Sequence, residues 1–106
     1  MLVDMYRVSC LDGNATEDIA GALKRIQEGF KGTQGCLGQR LLRDLEHQEN
    51  FIVVSYWRDK ESLARASALH AAIDEALDLL RVKTVANVYD IIQELEAVRG
   101  SSIKSF

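Results

Sequence analysis

At 106 residues, with 47% hydrophobic and 27% charged residues and a formal charge of -3, the chain has the makeup of one globular domain rather than of a disordered or membrane-embedded segment. Its thirteen Lys and Arg are scattered among sixteen acids and leave no basic face to displace phosphate counterions, which argues against nucleic acid as a partner. No apolar run has the length of a bilayer-spanning helix and the first residues lack a secretory pattern, so no membrane partner and a cytoplasmic location are expected.

Residues 2–10 alternate loosely and run into the turn signal Asp12-Gly13-Asn14, which predicts a first strand. Asn14 or Thr16 can cap a helix whose first turn holds Glu17 and Asp18. Its Ile19, Ala22, Leu23, Ile26 and Phe30 recur at helical spacing, predicting a helix over about 15–31 with Gly32 as its stop. Gly35 opens a second strand over 35–43, and the polar loop 46–50 leads into a third over 51–58. That third strand is apolar on both faces, with Phe51, Val53, Ser55 and Trp57 pointing one way and Ile52, Val54 and Tyr56 the other. Asp59 then caps a single helix over about 60–80, along which Leu63, Ala66, His70, Ile73, Leu77 and Leu80 form a stripe. The segment 83–95 fits helix or strand, and its β-branched and aromatic content predicts a strand over about 84–93. Residues 1–96 read as one domain and 97–106 as a mobile tail.

The order β-α-β-β-α-β predicts an α+β fold, a ferredoxin-like antiparallel sheet with two helices on one face. Two helices leave the second apolar face of the third strand without cover, so a homodimer is expected. Cys10 and Cys36 are expected as reduced thiols at opposite edges of the sheet, too far apart for a disulfide.

At Gly35-Cys36-Leu37-Gly38-Gln39-Arg40-Leu41-Leu42-Arg43, and again at Phe51-Ile52-Val53-Val54-Ser55-Tyr56-Trp57-Arg58-Asp59-Lys60-Glu61-Ser62-Leu63, the chain resembles the antibiotic biosynthesis monooxygenase family. The shared features are a glycine-led strand after helix one and a Trp that closes the third strand before a charged helix start, and with the element order the resemblance covers about residues 1–93. It implies a dimeric α+β barrel and an oxidoreductase, a cofactor-independent monooxygenase that uses dioxygen on a small aromatic or quinol-type molecule. The family's haem-degrading branch relies on an Asn in strand one and a His late in the second helix; this chain has no Asn in strand one and no His around Ala76. The rival reading is a non-catalytic dimeric small-ligand-binding or stress-response protein that uses the same cavity.

Two residues are candidates for catalysis. Trp57 can stack on an aromatic substrate and donate its indole N–H, or can anchor helix to sheet. His70 can act as a general base toward a phenol, with Asp74 one turn on to orient it, or can be satisfied by its own helix. Tyr6 and Tyr56 are candidate substrate-binding residues whose alternative role is packing. Arg40 can meet an anionic substrate group or an interface ion pair. Two histidines and two cysteines spread apart give no metal-ligand spacing, so no metal is expected.

Overall fold

The alternation in the first ten residues becomes β1 (Leu2–Cys10), and the computed structural model, which describes residues 1–11 and 16–95, continues with α1 (Thr16–Glu28), β2 (Cys36–Arg43), β3 (Asn50–Trp57), α2 (Lys60–Arg65), α3 (Ser67–Leu79) and β4 (Val82–Asp90). The turn signal at 12–14, Asn14 as a cap and the tail 97–106 lie outside the described residues. The strands form an antiparallel sheet in the order β2-β3-β1-β4, as a pair of split β-α-β halves requires.

Period-two alternation assigns the two faces. Leu2, Tyr6 and Val8 of β1 and Phe51, Val53 and Trp57 of β3 join Ile19, Leu23 and Phe30 and the α3 residues Ile73 and Leu77 in one core. Among the described residues no helix covers the other face. Ile52 and Tyr56 are half-buried there, and Leu42, Val85 and Tyr89 remain 44%, 49% and 43% exposed.

The single helix predicted over 60–80 is two. Asp59 caps α2 by accepting from the Ser62 N–H at 2.8 Å, as its sequence position suggests. The chain then breaks at Ala66, whose N–H bonds back to the Leu63 carbonyl at 3.1 Å, a tightened turn with neither Gly nor Pro to announce it. The thiols also differ from expectation. Cys36 opens the edge strand β2, but Cys10 ends the inner strand β1, so the two lie at opposite ends of the strands, both free.

Gly35 does what no other residue can at the entrance to β2. Its φ is +85°, and a Cβ there would land on the Ser62 side chain, which is itself fully buried. Gly35→Ala combines left-handed backbone strain with overpacking and should cost about 3 kcal/mol in urea unfolding. The added substitution Ser62→Gly should recover part of that loss.

Candidate active site

One acidic residue in β1 breaks the apolar pattern on the core face. Asp4 shares its register with Leu2, Tyr6 and Val8 and is 3% exposed. A buried carboxylate needs a partner, and it finds one 66 residues away: the Oδ2 of Asp4 lies 2.6 Å from Nε2 of His70 on α3. The other ring nitrogen, Nδ1, lies 2.9 Å from the carbonyl oxygen of Ala66, the residue at the helix break.

Those two distances determine where protons lie. Nδ1 faces a carbonyl, which only accepts, so Nδ1 carries a hydrogen and donates it. Nε2 faces a carboxylate, so one proton lies between His70 and Asp4, and the pair is neutral as a whole. The surroundings favour placing it on the imidazole, because the charges of Asp4 and Asp74 both act on the ring, against which Phe30 and Trp57 pack at centroid separations of 5.4 and 5.9 Å. The hydrogen bond to Asp4 raises the His70 pKa above 6.5 against the opposing effect of burial, and the Ala66 carbonyl and the charges of Asp4 and Asp74 add to the rise.

The pair lines an open cleft of about 430 Å³ between β1, the edge strand β4 and the helices α2 and α3, a volume within the range of small-molecule sites. Tyr6, Asp74 and Ser67 supply its other polar side chains, and Leu63, Ala71, Ala86 and Val88 its apolar walls. Burial pushes the Tyr6 phenol well above its ordinary range, and the Asp4 and Asp74 carboxylates, the latter through a hydrogen bond as well, push it further. Tyr6 therefore remains a protonated donor at neutral pH, with its ring parallel to His70 at a centroid separation of 6.3 Å.

Of the residues singled out in the sequence, His70 and Tyr6 meet at this cleft. Trp57 lies one layer beneath it, 0% exposed, its indole N–H donated to Ser55 Oγ at 2.9 Å and its ring edge-on to Phe30. Its ring packs against His70, tilted by 42° at a centroid separation of 5.9 Å. Tyr56 and Arg40 stand on the far side of the sheet, opposite Val3 and Val54 respectively. Asp74 lines the cleft, yet the main partner of His70 is Asp4, which sequence reasoning passed over. The signal was available: an acid at a core-facing strand position demands a basic or donor partner.

The sequence pattern described as antibiotic biosynthesis monooxygenase matches residues 1–75. No curated protein matches the chain. Solved structures of the same fold include SnoaB, a cofactor-independent oxygenase from Streptomyces nogalater, at 18% identity and a TM-score of 0.77 over 91% of this chain and 97% of that one. Another is MhuD, a haem-degrader from Mycobacterium tuberculosis, at 16% identity and a TM-score of 0.70 over 91% of this chain and 100% of that one. A conserved protein from Methanosarcina mazei aligns at 18% identity and a TM-score of 0.67, covering 84% and 91% of the two chains.

Proposed function

The chain belongs to the antibiotic biosynthesis monooxygenase family, and from that premise we propose that it is a cofactor-independent oxygenase of small phenols or quinols, with the Asp4–His70 pair as its proton acceptor. The observation that carries this reading is the 2.6 Å contact between a buried carboxylate and an imidazole at the wall of an open cleft. The cleft seats the ring against its apolar walls, and the pair, once it has released its shared proton, takes up the phenolic one through the Asp4 carboxylate, which lines the cleft. The phenolate passes one electron to dioxygen, and the radicals combine as a peroxide at a ring carbon bearing hydrogen. Loss of water leaves a carbonyl there, so one oxygen atom enters the quinone and the other leaves as water with the phenolic and ring hydrogens.

Haem, which MhuD binds, does not fit these residues. Both nitrogens of His70 are engaged, one by Asp4 and one by the Ala66 carbonyl, so neither lone pair is directed into the cleft to ligate iron. Among the described residues no three His, Cys, Asp or Glu side chains converge as a metal site.

The reading is tested by oxygen uptake with a panel of phenols and quinols under labelled dioxygen. One labelled oxygen atom per product molecule is expected. No uptake with any member of the panel by folded protein would overturn it.

The working unit in this proposal is a homodimer in which two sheets pack face to face, covering Leu42, Ile52, Val85 and Tyr89. A cation at the middle of that face should be rejected. Ile52→Lys is expected to weaken association by about 2 kcal/mol or more, some thirtyfold, in sedimentation equilibrium, with the helical content unchanged. Wild-type protein sedimenting as a monomer at micromolar concentration would contradict the dimer.

A further inference from the structure

The polar groups of the cleft do not balance in charge. Asp4 and Asp74 both line it, and among the described residues no Lys or Arg does. The proton shared by Asp4 and His70 makes that pair neutral whichever side holds it, which leaves the Asp74 carboxylate without a cationic partner among the described residues that line the cleft. When the pair releases its proton to become a base, the deficit grows to two. Tyr6 adds no positive charge, and its hydroxyl is directed to the same Asp74. Arg40, the residue from which the sequence suggested recognition of an anion, stands on the opposite face of the sheet.

We infer that Asp74 makes this cleft selective for uncharged or cationic aromatic molecules and excludes those bearing a carboxylate or phosphate. This deepens the proposed function by naming the charge class of the substrate, and it rests on that reading only for its relevance to turnover. Asp74 lies one helical turn beyond His70 on α3 and is exposed, so solvent weakens its field. A like charge on a ligand in the cleft still meets it within a few ångströms, which is expected to change affinity on the order of tenfold. The same field favours an ammonium group placed toward Asp74, and the apolar walls formed by Leu63, Ala86 and Val88 accommodate the ring.

The test is calorimetric binding of three probes of one shape to the wild-type protein: 2-naphthol, 6-hydroxy-2-naphthoate and 6-aminomethyl-2-naphthol. The neutral and cationic probes should bind at least about tenfold more tightly than the carboxylate. Asp74→Asn should bring the three within about threefold. Asp78→Asn, which removes the same charge one turn further along α3 at an exposed position outside the cleft, should leave the ranking as it is in the wild type. Equal binding of naphthol and naphthoate to wild-type protein, equal effects of the two Asn variants, or no binding of any probe to folded protein would each overturn the inference. Oxygen uptake separates the two proposals: the ranking without uptake sinks the oxygenase reading alone, and uptake with the carboxylate preferred sinks the charge selectivity alone.

Discussion

Asp4→Asn is expected to reduce phenol-dependent oxygen uptake about a hundredfold or more, the typical loss when a positioned general base is disabled. The substitution preserves shape and leaves an amide beside His70, so the sheet register, set by backbone bonds to β3 and β4, should persist. What disappears is the charge that raises the His70 pKa, since the hydrogen bond to Asp4 is the largest cause of that rise. Burial, which opposes protonation of the ring, then acts with less opposition, and the imidazole becomes a weaker base. In the wild type the rate should climb with pH through the raised His70 pKa, because the pair accepts a substrate proton only after giving up its own. In Asp4→Asn that limb should move to lower pH. A variant with unchanged rate and profile would remove Asp4 from the mechanism.

His70→Ala should produce the largest loss of stability at the site, about 3 kcal/mol, because it strands a carboxylate that is 4% exposed. Adding Asp4→Asn removes that stranded charge, so the double variant should be more stable than His70→Ala alone, with a coupling above about 1 kcal/mol in urea unfolding. The pH dependence follows from the direction of the shift. A folded-state pKa raised above the unfolded 6.5 supplies stability that is fully present below 6.5 and is lost as pH rises through the folded value. The stability gap between wild type and Asp4→Asn should therefore be widest below pH 6.5 and narrow above it. A gap that widens with pH would mean that the imidazole is held neutral in the fold.

The strands were legible because their signals are local. The β-branched and aromatic run of β3 and the loose alternation of β1 each determine a face without reference to the rest of the chain, and the ambiguous segment after α3 resolves as β4 on the same grounds. The apolar stripe of the second helical segment was equally clear, but its break was not: Ala66, where α2 ends, is a strong helix former and carries no local signal for a turn. That turn matters to the site, since it presents the Ala66 carbonyl to His70. Helical spacing paired His70 with Asp74, a neighbour four residues on, whereas the buried partner comes from β1. Pairings of that kind depend on which strand lies under which helix, and short-range periodicity carries no such information. For the same reason the sequence could place Tyr6, Tyr56 and Arg40 on strands but could not separate the cleft side of the sheet from the side facing away.

The nitrogen-15 resonances of the His70 ring, followed from pH 5 to 9 with and without an added phenol, test the shared proton most directly. The doubly protonated ring is expected to titrate above 6.5, at a pH that moves when the phenol binds and falls in Asp4→Asn. A ring that titrates below 6.5 and does not respond to phenol would contradict the account.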